Sequence, residues 1–105
     1  MLGQKNTRED TAMGRVQDKV ALVTGGASGI GRASALAMAR EGARIAISDL
    51  QDESGEQTLA ALQAEGAEAI YLHHDVTQEA DWERVIAAVQ DRFGRLDILF
   101  NNAGV

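Results

Sequence analysis

Short apolar runs alternate with longer amphipathic stretches along this chain, and glycines stand at most of the joins. Lys19-Val20-Ala21-Leu22-Val23 is apolar and β-branched and reads as a buried strand. Arg32 to Arg40, rich in Ala with Leu36 and Met38, reads as a helix that stops at Gly42. Ala43 to Ser48 is a second strand, ending at Asp49. Gln51 to Glu65 is a second helix whose inner face is marked by Leu59 and Leu62, with Ala60 and Ala61 as small contacts and Gly66 closing it. Ala67 to His74 is a third strand with Ile70 and Leu72 as its apolar positions and Asp75 at its end; His73 and His74 read as solvated strand-end residues. Thr77 is placed to cap the next helix, and Glu79 suits its first turn. In that helix Trp82, Val85, Ile86, Val89 and Phe93 fall on the three-and-four spacing of one buried face, and Gly94 ends it. A fourth strand, Leu96 to Phe100, runs into Asn101-Asn102-Ala103-Gly104.

The sum is β-α-β-α-β-α-β with short connections, an α/β pattern that predicts a doubly wound parallel sheet. Right-handed crossovers give the strand order 3-2-1-4, with the first two helices on one face and the Trp82 helix on the other. Residues 1–15 are polar, mixed in charge and aperiodic, and read as a disordered extension to a single domain spanning 16–105.

Composition narrows the function classes. A chain of 105 residues is at most one domain, and folding at this size hides roughly 60–70% of the unfolded surface. The absence of cysteine excludes disulfides and thiolate metal sites, and two adjacent histidines offer little to a structural metal. A net charge of −6 argues against a nucleic-acid partner. No apolar run approaches the ~20 residues that span a bilayer, and no signal-peptide core is present, so no membrane partner and a cytoplasmic location are expected.

The candidate chemistry lies in Thr24-Gly25-Gly26-Ala27-Ser28-Gly29-Ile30-Gly31, between the first strand and the first helix. First-turn N–H groups of a helix lack intrahelical partners and carry the positive dipole end, so they suit an anion. Glycine lets the backbone approach a pyrophosphate and supplies positive φ where the turn needs it. A triphosphate-binding loop would have Lys and Ser/Thr after Gly31, where Arg32 and Ala33 stand. A nucleophile elbow would have Gly two residues after Ser28, where Ile30 stands. The literal Gly-x-Gly-x-x-Gly dinucleotide pattern also fails; what is present is Thr-Gly-x-x-x-Gly-x-Gly. A turn that merely favours glycine is the plain alternative, and four glycines in seven residues after a buried strand weaken it.

Ligands of such sheets sit at the carboxyl ends of the strands, where the strand order reverses. The glycine loop, Asp49, Asp75 and Asn101 to Gly104 all follow strand ends and converge on that rim. Asp49 follows Gly25 by 24 residues and Gly31 by 18, the distance at which a carboxylate accepts both hydroxyl protons of an adenosine ribose. It would repel a 2′-phosphate, and no Arg or Lys lies between Gly25 and Ile30, which favours NAD over NADP. Helix capping is the competing role for Asp49. Asp75 suits the adenine amino group with Val76 on the ring, or equally a second cap beside Thr77. Asn101 and Asn102 either tie the fourth strand to its neighbours, contact the cofactor, or simply serve a turn.

Together these residues resemble the short-chain dehydrogenase/reductase family. Thr24-Gly25-x-x-x-Gly29-x-Gly31 is similar to its cofactor motif, Asp75-Val76 to its adenine-binding pair, and Asn101-Asn102-Ala103-Gly104 to its Asn-Asn-Ala-Gly motif, across roughly Val16 to Val105. The resemblance implies an incomplete Rossmann-type fold and a hydride-transferring oxidoreductase acting on an alcohol or ketone with a nicotinamide dinucleotide. It implies that Gly25, Ser28, Gly29, Ile30 and Gly31 line the NAD pyrophosphate site. Asp49 would hold the adenosine ribose, and Asp75 and Val76 the adenine. The Asn101 backbone would lie near the nicotinamide side, Ala103 and Gly104 would belong to the cofactor-binding set, and Asn102 would help lock the central strands. A homo-oligomeric full-length parent is also implied.

The family's catalytic Ser and Tyr-x-x-x-Lys follow the fourth strand. Here the single tyrosine is Tyr71, Asp75 stands where the matching lysine would be, and both lysines, Lys5 and Lys19, precede the glycine loop. The expectation is therefore a cofactor-binding half, inactive alone, whose fourth strand is an aggregation-prone edge. A non-catalytic dinucleotide- or partner-binding fragment is the second class.

Overall fold

A computed structural model describes residues 16–103; the expected extension 1–15 lies outside the described residues, as do Gly104 and Val105. The elements are β1 (Val20–Thr24), α1 (Gly29–Arg40), β2 (Arg44–Asp49), α2 (Asp52–Ala64), β3 (Ala69–His73), α3 (Glu79–Phe93) and β4 (Ile98–Asn101). The strands form one parallel sheet in the order β3-β2-β1-β4, as the pattern predicts.

β1 is the axis of the sheet. All five of its residues are buried, and it pairs Leu22 with Ala46 of β2 and with Leu99 of β4. Strand alternation divides the core in two. Ala21, Val23, Ile45 and Ile47 pack against Ala35, Ala39 and Leu62 of α1 and α2. Val20, Leu22 and Ala46 pack against Val85, Val89 and Phe93 of α3. Burying each of those larger aliphatic or aromatic side chains contributes about 1.5–3 kcal/mol, so the helices are held mainly by these two layers. Asp97 fixes the start of β4: its carboxylate accepts the Val20 N–H at 2.9 Å, and its own N–H donates to the Val20 carbonyl at 2.9 Å. Among the described residues no helix is long and apolar enough to cross a membrane.

Three expectations need correction. The inner face of α2 is Gly55, Thr58 and Leu62; Leu59 is half-buried and Ala60 faces solvent, because the helix turns its small N-terminal residues toward β3. Thr77 does not cap α3. The N-cap is Gln78, one residue later; Thr77 belongs to the preceding turn, where its N–H and its hydroxyl both donate to the Asp75 carboxylate, the hydroxyl at 2.6 Å. His74 is not solvated. It is 1% exposed, since alternation along β3 turns it with Ile70 and Leu72 beneath α3, while His73 points outward. Boundaries also shift: α1 begins at Gly29, inside the glycine stretch, β3 spans Ala69–His73 rather than Ala67 to His74, and β4 begins at Ile98 rather than Leu96.

Candidate functional site

A cleft of 620 Å³ opens at the carboxyl ends of the strands, within the size range of small-molecule sites. It lies where β1 meets β4, the point at which the strand order reverses. Four segments line it: the glycine loop, the turn after β2, the turn after β3 and the turn after β4.

The glycine loop is shaped by close backbone approach. Gly25 has φ 68°, a conformation side chains rarely tolerate. A Cβ on Gly31 would collide with the Gly25 carbonyl and stand 2.9 Å from Asn102 Nδ2, so α1 can approach the β1 end only without a side chain there. The N-terminus of α1 is left open. Its N-cap, Ser28, makes no side-chain cap bond, and the first turn holds no acidic residue. By contrast α2 begins with Asp52 and Glu53, and α3 carries Glu79 and Asp81 in its first turn. Among the three helices of the described residues, the dipole of α1 alone lacks internal carboxylate compensation, and it faces the cleft through Ser28, Gly29 and Ile30.

Asp49 holds this loop in place. Its Oδ2 accepts the Ala27 N–H at 3.1 Å and its Oδ1 accepts the Gln51 N–H at 3.1 Å. It is therefore not the N-cap of α2, a position taken by Gln51. Each carboxylate oxygen retains a second lone pair for a ligand donor. The loop is braced from behind as well: the Thr58 hydroxyl donates to the Ala27 carbonyl at 3.0 Å, and Arg32 donates to Thr58 at 3.4 Å. Thr58 was missed by sequence reasoning because a threonine in a helix carries no signal of its own; only its partner reveals the role.

The turn after β3 supplies a second carboxylate. Asp75 Oδ1 accepts both the Thr77 N–H at 3.0 Å and the Thr77 hydroxyl, and these bonds hold the Asp75 carboxyl below the usual carboxylate range. The Asp75 N–H donates to Asp81 at 2.8 Å, and Trp82 Nε1 donates to the Val76 carbonyl at 2.8 Å. Beneath them His74 meets Ser48 at 2.9 Å through Nδ1 and sits edge-on to Trp82, ring centroids 4.4 Å apart. Burial lowers the His74 pKa, so the ring is neutral, and its Nε2 has no protein partner.

After β4, the Thr24 hydroxyl donates to Asn101 Oδ1 at 3.0 Å and accepts the N–H groups of Asn102 and Ala103 at 2.9 and 3.1 Å. Asn102 Nδ2 donates to the Gly25 carbonyl at 3.3 Å. Both asparagines thus tie β4 to β1. Of the expected site residues, Gly25, Ser28, Gly29, Ile30, Asp49, Asp75, Val76 and Ala103 line the cleft. Gly31 and Asn101 stand behind its wall, and Gly104 lies outside the described residues. Leu50, Gln51, His74, Thr77 and Asn102 also line it. Ile30 at 70% and Leu50 at 57% exposure are large apolar side chains held open beside it. Among the described residues that line it there is no lysine or arginine.

The family model for short chain dehydrogenases matches residues 19–105. The chain belongs to the short-chain dehydrogenase family. Within that family, this short-chain dehydrogenase chain is 50% identical over 91 residues to a 3-beta-hydroxysteroid dehydrogenase from Comamonas testosteroni, covering 87% of this chain and 35% of that protein. A crystal structure of a short-chain dehydrogenase/reductase from Burkholderia phymatum in complex with NAD superimposes with TM-score 0.83 at 38% identity, covering 86% of this chain and 32% of that one. Actinorhodin polyketide ketoreductase with NADPH superimposes with TM-score 0.80 at 40% identity, covering 84% and 34%. This short-chain dehydrogenase chain spans about a third of the length of the curated relatives it matches. Its glycine loop, uncompensated α1 terminus and rim carboxylates fit a nicotinamide dinucleotide: a cradle a Cβ would fill for the pyrophosphate, and acceptors for hydroxyl and amino groups.

Proposed function

We propose that this chain is the dinucleotide-binding part of an oxidoreductase that interconverts an alcohol and a ketone, and that it prefers NAD(H) to NADP(H). The observation that supports this most is the pairing, in one cleft, of an α1 terminus without a capping or first-turn acid and a carboxylate, Asp49, already anchored to the loop that terminus begins. The N–H groups at the start of α1, reached past Gly25, Ser28 and Gly29, bind the pyrophosphate. Asp49 accepts the hydroxyl protons of the adenosine ribose on its unused lone pairs. Asp75 accepts from the adenine amino group, and Leu50 and Val76 cover the ring. Ile30 adds to the pyrophosphate wall, the Asn101 backbone and Ala103 border the nicotinamide end, and Asn102 keeps β4 against β1. When bound, the nicotinamide supplies hydride transfer; these residues supply binding and orientation.

The preference for NAD(H) follows from charge. Among the described residues two carboxylates and no cation border the cleft, so a 2′-phosphate placed at Asp49 meets a like charge, at a cost of several kcal/mol. Proton transfer is not assigned to Tyr71, whose hydroxyl is bonded to the Asp49 carbonyl and to Asp52 outside the cleft lining. The similarity to a 3-beta-hydroxysteroid dehydrogenase supports a secondary alcohol as the substrate class. Fluorescence titration with NADH and NADPH tests the cofactor reading. NADH binds more tightly in the wild-type protein, and Asp49→Ala narrows the difference; equal wild-type affinities would sink it.

A further inference from the structure

The turn that carries Asp49 is held from outside the cleft by one side chain. Tyr71 of β3 lies across the start of α2, its ring against Gly55. A Cβ on Gly55 would clash with the edge of that ring, so alanine there would force Tyr71 aside, and glycine stands at the site although it costs about 1 kcal/mol relative to alanine in a helix interior. The gap this glycine leaves lets the Tyr71 hydroxyl reach two acceptors on different elements: the Asp49 carbonyl at 2.8 Å, the last residue of β2, and Asp52 Oδ1 at 2.6 Å, the first residue of α2. His73 Nδ1 meets the same Asp52 oxygen at 2.8 Å. The Asp49 carbonyl also accepts the His74 N–H at 2.9 Å. Only Leu50 and Gln51 lie between the two bridged residues, and both line the cleft. The single hydroxyl proton is shared between the two acceptors, a three-centre bond that spans the rim segment and links its two ends.

We propose that Tyr71, with Asp52 and His73, is a positioning residue that fixes the Asp49–Gln51 turn and thereby sets how sharply the protein separates a 2′-hydroxyl from a 2′-phosphate on the adenosine ribose. This rests on the reading of Asp49 as the ribose ligand. A carboxylate accepts two hydroxyl protons well only when its plane is fixed, and it repels a phosphate fully only when it cannot swing away. Loosening the turn weakens the first effect and relieves the second. Ionisation keeps the bridge intact near neutral pH. Burial and the neighbouring Asp52 raise the Tyr71 pKa, so it remains a donor, while Tyr71 and His73 lower that of Asp52, so it remains an acceptor.

The test is the ratio of NADH to NADPH affinity in Tyr71→Phe, Asp52→Ala and Asp52→Asn, each beside its urea melt. Tyr71→Phe keeps the ring on Gly55 and removes only the bridge. Asp52 is exposed, so its variants remain readable even where the tyrosine variant folds poorly. Tyr71→Phe and Asp52→Ala are expected to narrow the ratio by roughly 3- to 10-fold, the loss of about one hydrogen bond, with NADH weakened and NADPH strengthened. Asp52→Asn, which keeps an acceptor oxygen, is expected to recover most of the wild-type ratio. A purely structural role would lower both affinities together and leave the ratio alone, and that result overturns the proposal. So does an unchanged ratio in both Tyr71→Phe and Asp52→Ala when the wild type prefers NADH and Asp49→Ala erases the preference. A wild type without preference instead removes the Asp49 reading underneath it.

Discussion

Replacing Gly31 by alanine separates stability from ligand binding more cleanly than any other single change in this chain. The added methyl meets the carbonyl carbon and oxygen of Gly25 and the amide nitrogen of Asn102. None of these can yield easily. Gly25 is in a left-handed conformation at φ 68°, and its carbonyl is held by Asn102 at 3.3 Å. The start of α1 must therefore back away from the end of β1. Overpacking of this kind costs about 1–3 kcal/mol, and alanine in place of glycine in a helix returns about 1 kcal/mol, so the net loss of stability is about 0–2 kcal/mol. Binding suffers more. The same displacement carries the free N–H groups of α1 away from the pyrophosphate, and losing one hydrogen bond to a charged group costs about 1.5–3 kcal/mol, roughly 10- to 100-fold in affinity. Urea unfolding and NADH fluorescence titration on one preparation give both numbers. A Gly31→Ala protein that melts within about 2 kcal/mol of wild type but binds NADH at least tenfold more weakly fits the reasoning. Wild-type affinity in that variant would refute it, since the close approach of α1 to β1 would then serve packing alone.

Two further outcomes are expected. His74 is buried and neutral, its pKa lowered chiefly by burial; Asp81 and Asp75 oppose that shift, and Arg84 and His73 reinforce it. Its contribution to stability is complete above the unfolded value of about 6.5 and is lost as pH falls through the depressed folded value. Urea melts between neutral and mildly acid pH should show that decline in the wild type and less of it in His74→Gln; equal slopes contradict the assignment. In the second, β4 is one of the two sheet edges among the described residues, with Leu99 49% exposed on it. The 105-residue polypeptide should self-associate in sedimentation velocity, and Leu99→Lys should reduce this; association unchanged by the lysine would place the contact elsewhere.

The fold was legible because its signals are local and repeated. β1 and β2 are apolar runs, Trp82 to Phe93 is a clear helical face, and glycine stands at each helix end. The converging rim was legible because chain order in a parallel sheet dictates which ends meet. What escaped depends on pairing across the sheet. His74 was misplaced because two adjacent histidines look solvent-seeking, although counting alternation from Ile70 and Leu72 places the second one inward. Thr77 was misassigned because α3 is entered one residue later, through Gln78, and Thr77 belongs to the turn that Asp75 closes. The Tyr71 bridge left one trace in the sequence, Gly55 near the start of α2, and a glycine there has meaning only once the ring that fills its place is seen. Thr58 left none.

The most direct test of the account is an amide-resolved NMR titration with NAD. The cleft at the carboxyl ends of the strands predicts shifts at Gly25 to Gly31, Asp49 to Gln51 and Asp75 to Thr77, saturating together. A cleft of 440 Å³ at the opposite end of the sheet, lined in part by Asp18, Gly42 and Glu65, should stay silent. Shifts confined to that opposite cleft, or a glycine loop unmoved at saturating NAD, would contradict the central claim that the β1–α1 turn is the dinucleotide site.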